Sequence, residues 1–121
     1  MHNHLQAHPI NSPTCSSNGI SLDGNDDYID IDDFEFGGIT SFEVYVKYDS
    51  FNYHSPVYDF SNGVNSDNVR LNNFSEKSDF VWYVLPGRGF SSSVDGGWNA
   101  SIWTHVIVTV SGNSMNLYKN V

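Results

Sequence analysis

The residues predict an all-β chain, an antiparallel β-sandwich assembled from short strands. Three observations point to it. Residues 41–49 alternate, with Phe42, Val44, Val46 and Tyr48 on one side and Glu43, Tyr45 and Lys47 on the other; a period of two marks a half-buried strand. Near the end, Val106, Val108 and Val110 alternate in a second long strand. A Ser111-Gly112-Asn113 turn then leads into a return through Met115, Leu117 and Tyr118, which is a hairpin pattern. Elsewhere turn-forming residues recur, and no stretch repeats its apolar residues at the helical period of about 3.6.

The remaining elements follow in order. Residues 1–17 hold His2, His4, His8, Pro9, Pro13 and a Ser/Asn cluster without periodicity, so a disordered arm or linker is expected. Residues 19–31 read as a first hairpin: a strand, a turn of small polar residues, and a second strand with Tyr28, Ile29 and Ile31. Residues 32–40 form a loop turning at Gly37-Gly38. A short strand covers 56–60 and a turn 61–66. Val69 and Leu71 face inward from the next strand, over 68–72, and another strand spans 79–85 and ends at Pro86-Gly87-Arg88-Gly89. Residues 90–94 are a weakly specified strand, because Ser91, Ser92 and Ser93 bring little apolar surface. Residues 95–99 are a loop. Trp82 and Tyr83 point to opposite sheet faces, and the expected inter-sheet core is Phe42, Val44, Val46, Tyr48, Val106, Val108 and Val110.

Two segments carry a more specific signal. Leu22-Asp23-Gly-Asn-Asp-Asp-Tyr-Ile29 lies early, and Trp103-Thr-His-Val-Ile-Val-Thr109 followed by Leu117-Tyr-Lys-Asn120 lies late. Together they resemble the laminin G-like, concanavalin A-like jelly-roll family, which carries Leu/Phe-Asp-Gly-x-Asp-Asp-Tyr-Val, then Trp-x-His-Val-x-Val-Thr and Leu-Tyr-x-Asn-Gly. The resemblance implies a jelly-roll domain over 18–121, with Trp103 packed at a strand start. Family members continue past the last motif with further strands, so a partial domain is expected here, incomplete at its C-terminal end. Its open sheet edge would invite self-association or cover by a neighbouring chain.

Composition narrows the partners. The net charge is −9, and only five Lys and Arg are scattered along 121 residues, which argues against nucleic acid. No apolar run is long enough to span a membrane. The first residues lack the basic and apolar parts of a signal peptide, so an extracellular or particle-surface role is expected within a longer parent. Cys15 is the single cysteine, so no internal disulfide can form.

Several groups could carry chemistry. The acidic run Asp23 to Asp33 does not fit a helix-loop-helix calcium loop, since Tyr28 stands where Gly is needed and Phe34 where Glu is needed. A structural turn with Asx hydrogen bonds is expected instead. Asp30, Asp32 and Glu35 resemble the motif of jelly-roll β-glucanases, whose paired carboxylates stand about 5–5.5 Å apart. Asp replaces the first Glu and the chain is too short for a substrate cleft, so no catalytic residue is expected. Ser66-Asp67-Asn-Val-Arg-Leu71 resembles the Gly-Asp-x-Leu segment whose Asp ligates calcium in laminin G and neurexin modules, making Asp67 the metal candidate. With one carboxylate, calcium would bind weakly, at roughly millimolar concentration. His2, His4 and His8 are spread along the arm and are not expected to hold a metal. The sequons at Asn73 and Asn99 are unsurprising in a chain this rich in Asn and Ser.

For glycan recognition the candidates are the loop aromatics Tyr53 and Trp98, with Asp67 and Asn68 as polar contacts. The function expected is a non-catalytic recognition module that binds carbohydrate or a protein partner through its loops. The alternatives are a structural piece (capsid, fibre or adhesion scaffold) and a degenerate glucanase fragment.

Overall fold

The structure, a computed structural model, describes residues 5–35, 38–60, 68–85, 90–111 and 114–120, with the side chains at 68, 82–85, 90–94, 114 and 115 excepted. Among the described residues every regular element is a strand: β1 Ala7–Ile10, β2 Thr14–Ser16, β3 Gly19–Ser21, β4 Tyr28–Ile31, β5 Thr40–Val46, β6 Pro56–Phe60, β7 Asn68–Asn73, β8 Phe80–Leu85, β9 Phe90–Val94, β10 Thr104–Ser111 and β11 Ser114–Lys119. Among the described residues no helix is long and apolar enough to cross a membrane. The chain divides into two compact units, Met1–Gly38 and Ile39–Val121.

The first unit corrects two expectations. Residues 1–17 are not simply an arm, since they contain β1 and β2. The first hairpin is also rewired. β3 pairs with β2, with Cys15 opposite Ile20, while β4 pairs with β1, with Pro9 opposite Ile29. The β2–β3 link is a two-residue turn, Ser17-Asn18, followed by Gly19 at φ 124°, a value that favours glycine. Ser16 Oγ closes that turn, donating to Gly19 O and accepting from Asn18 N, both at 3.2 Å. None of the unit's described residues is buried. Its strands are joined by backbone bonds and show no apolar face, so periodicity had nothing to reveal.

The second unit is the sandwich. One sheet has the order β11-β10-β5 and the other β6-β7-β8-β9, and every pairing is antiparallel. Val108 sits opposite both Phe42 of β5 and Leu117 of β11, so the three side chains share one face. That face meets Val69, Leu71 and Phe80 of the second sheet. With Trp98, Val106 and Val108 these residues form the buried core, and Phe42, Val44, Val46, Tyr48, Val110 and Leu117 pack around it. Phe42 joins the sheets directly, its ring 5.6 Å from Tyr58 and 5.7 Å from Phe60.

Strands 5 to 11 lie where alternation and turn residues placed them. One irregularity was not foreseen. The β6–β7 register shifts between Pro56 and Tyr58, and this bulge lets the consecutive Val57 and Tyr58 both pack on the core. The turns expected at 61–66, 86–89 and 112–113, the glycine turn at Gly37, and the facing of Trp82 and Tyr83 lie outside the described residues or side chains.

Candidate functional site

The loops at 52–55, before β6, and at 74–77, after β7, lie at one end of the same strand pair and are held by one buried side chain. Asn73 is fully buried. Its Nδ2 donates to Asn52 O and Ser75 O, both at 2.8 Å, and to Lys77 O at 3.3 Å; its Oδ1 accepts from Ser55 N at 2.6 Å. A single amide thus satisfies backbone groups on both loops. The loops also bond each other, with His54 N donating to Ser75 O at 2.9 Å. Both bonded residues are non-glycine and left-handed, His54 at φ 50° and Ser75 at φ 58°. Such conformations cost on the order of 1–3 kcal/mol each and persist only where the surroundings over-determine them, as they do at many functional sites.

The pinned loops present an aromatic rim. Tyr53 is 71% exposed and Phe74 45% exposed. The half-buried His54 stands between them, edge-on to Tyr53 at 4.3 Å and to Phe74 at 5.4 Å. Beneath the rim, Asn72 Nδ2 and His54 Nδ1 are 3.4 Å apart. Asn72 Oδ1 is buried and, among the described residues, is the buried side-chain polar atom without a hydrogen-bond partner. Deeper still, the Tyr48 hydroxyl donates to Ser55 O at 2.7 Å, and burial pushes its phenol above the ordinary tyrosine range. Tyr48 therefore acts as a neutral prop under the loop.

Of the residues singled out from sequence, Tyr53 is exposed as expected. Trp98 is a correction. It is 2% exposed, packed edge-on against Tyr48 at 5.0 Å and tilted on Phe80 at 4.0 Å, with Nε1 donating to Asn72 O at 3.5 Å. No ring face is left for a ligand, because the 95–99 loop folds Trp98 into the core below the rim. Trp103 is the reverse case: expected to be packed, it is 42% exposed. Asp67 lies outside the described residues. Asn68 begins β7 opposite Leu85, but its side chain is likewise not described. Asn73 and Phe74 were missed; the available signal was an aromatic just past a strand end, where alternation needs none.

The acidic residues serve the first unit's own backbone. Asp23 Oδ1 accepts from the N–H groups of Asn25, Asp26 and Asp27 at 2.8, 3.3 and 3.4 Å, and the Asn25 bond leads in holding its carboxyl below the ordinary value. This is the Asx turn expected from sequence. The carboxylates of Asp23, Asp26 and Asp27 lie within 4.8 Å of one another, yet a calcium ion takes six to eight oxygens and Asp23 Oδ1 is already committed. Asp32, from the glucanase-like triplet, accepts from Gln6 N through Oδ2 and contacts His8 Nε2 through Oδ1, both at 3.1 Å.

Residues 23–120 match the laminin G family model described as the concanavalin A-like lectin/glucanases superfamily. The match covers most of the chain, and the chain belongs to that family. No curated protein and no solved structure matches it. Membership makes the chain a candidate carbohydrate- or protein-binding module.

Proposed function

We propose that this member of the concanavalin A-like lectin/glucanase superfamily is a non-catalytic recognition module that binds a carbohydrate on the rim formed by Tyr53, His54 and Phe74. The single observation behind it is a pair of exposed rings on two loops that Asn73 holds in a strained arrangement. Sugars present apolar C–H patches that suit such rings, and hydroxyls that suit the phenol of Tyr53 and the imidazole of His54. Loops fixed on a rigid sandwich are where recognition groups can differ without disturbing the core. The protein acts outside cells or on a particle surface.

Asp30, Asp32 and Glu35 carry no chemistry in this proposal, because both Asp32 oxygens are engaged by residues 6 and 8. Calcium enters only through Asp67, as a weak ligand effective at roughly millimolar concentration. With a net charge of −9, strongly anionic glycans are poor ligands.

A glycan array probed with the chain and with Tyr53→Ala and Phe74→Ala, each with and without chelator, tests this. Neutral or weakly charged glycans are expected to bind, and each substitution to weaken binding. Binding that ignores both substitutions, or that favours sulfated chains in chelator, would overturn the assignment.

A further inference from the structure

Two Asn-x-Ser sequons, Asn73-Phe74-Ser75 and Asn99-Ala100-Ser101, have equal weight by spacing. The fold separates them. Asn73 is fully buried; its Nδ2 serves the carbonyls of Asn52, Ser75 and Lys77, and its Oδ1 accepts from Ser55 N. A sugar on Nδ2 would replace one of the two amide hydrogens and put a ring where the two loops meet. A chain modified there cannot close them. Asn99, Ala100 and Ser101 are all exposed, and they follow Trp98, where the chain leaves the core. Main-chain bonds fix this turn: Ile102 N donates to Asn99 O at 3.4 Å, and Ser101 N donates to Tyr48 O at 2.6 Å. Ser101 is left-handed, at φ 62°. Among the described residues the Asn99 side-chain amide has no hydrogen-bond partner, so the fold does not depend on it.

We infer that Asn99 is an acceptor for an N-linked glycan and that folding closes the Asn73 sequon to one. The inference rests on the placement of the chain outside cells and not on carbohydrate binding at the rim. The donor is an oligosaccharide carried on a polyprenyl pyrophosphate. Asn99 Nδ2 bonds to the anomeric carbon, the bond from that carbon to the pyrophosphate oxygen breaks, and the lipid pyrophosphate leaves with the electron pair. The amide gives up one proton. Ser101 supplies the hydroxyl that completes the sequon, and neither Ala100 nor Ile102 is the proline that would block it. A bulky, hydrated glycan is suited to an exposed turn whose shape needs only main-chain bonds. Attachment precedes folding, so burial of Asn73 acts as a filter on the product: molecules modified at Asn73 do not reach the folded state.

The full chain, made behind a secretion leader in a eukaryotic cell line, tests this. Secreted and retained fractions are treated with peptide-N-glycosidase F in heavy-oxygen water, and the peptides are mapped by mass. Release marks each occupied Asn as a heavy Asp. The mark is expected at Asn99 and not at Asn73 in the secreted chain. Asn99→Gln should lose the glycosidase-sensitive band shift and unfold at the same temperature as the deglycosylated wild type. Occupancy of Asn73 confined to the retained fraction supports the filter. Secreted, cooperatively unfolding chain that carries a glycan on Asn73 overturns it. Asn99 bare in both fractions overturns the acceptor site. Neither failure touches the rim, because the glycan array reads rim binding with unglycosylated chain made in bacteria.

Discussion

Gly97 lies against the ring of Phe80 so closely that a Cβ at position 97 would stand 1.5 Å from Phe80 Cδ2. The Gly97 carbonyl also accepts from Lys119 Nζ, and that ammonium lies 5.8 Å from the Phe80 ring centre. A backbone strip without a side chain is what lets the 95–99 loop lie flat on β8 and deliver Trp98 to the core. Gly97→Ala should therefore destabilise by at least about 1–3 kcal/mol, the range for overpacking a tight core. Denaturant unfolding measures it. The loss should shrink when Phe80→Leu is also present, and an additive double mutant would mean that the ring is not what Gly97 accommodates.

Trp98 and Trp103 should behave oppositely. Trp98→Ala removes a core ring that contacts Tyr48 and Phe80, and is expected to cost about 3–5 kcal/mol. Trp103→Ala removes a ring from a solvent-facing stack and should cost no more than about 0.5–1.5 kcal/mol. Equal losses of thermal stability in the two variants would contradict the burial assigned here.

Asn73→Ala removes the side-chain hydrogen bonds to three carbonyls and one N–H at once, although Ser75 O keeps its bond from His54 N. Leaving even one such group buried and unpaired costs about 1–3 kcal/mol, so a clear drop in stability is expected. Amide exchange should accelerate at His54 and Ser55. Unchanged exchange there would mean that the loops hold their shape without the Asn73 amide.

Acid should loosen the β1–β4 pairing late. The Gln6 N–H bond first, and the His8 contact after it, hold the Asp32 carboxyl below its ordinary value. A depressed carboxylate stabilises the fold above its unfolded-state value, and that contribution is lost as pH falls through the lower folded-state value. In an NMR titration the Gln6 amide should therefore shift below the ordinary carboxylate range and not above it. Asp32→Asn should abolish that step. A Gln6 shift centred above the ordinary value would reverse the sign of the coupling.

The sandwich was legible wherever a strand buries one face. Phe42 to Tyr48 and Val106 to Val110 alternate because a sheet lies against one side of them, and the core they form is the one expected from sequence. Pairing in residues 5–31 was not legible, since β1 to β4 hold no fully buried residue, only the half-buried Ile10 and Ile29, and their register leaves no alternating apolar trace. The site was half legible. Tyr53 lies in an evident loop, and its exposure follows from having no place in an alternating strand. Trp98 lies in an equally evident loop, yet its burial depends on the close approach of Gly97 to Phe80, a long-range contact with no local signature. Asn73 resembled a glycosylation sequon, and its role as an anchor emerges only when residues 52–55 and 74–77 come together.

The proposed rim is tested most directly by mapping a bound sugar. The strongest neutral binder from the array would be titrated into 15N-labelled chain while backbone and imidazole resonances are followed. Saturable shifts are expected at Tyr53, His54, Phe74 and Ser75, and they should be lost in Tyr53→Ala while that variant keeps its fold. Saturable shifts that leave these four residues unmoved would contradict the rim as the carbohydrate site.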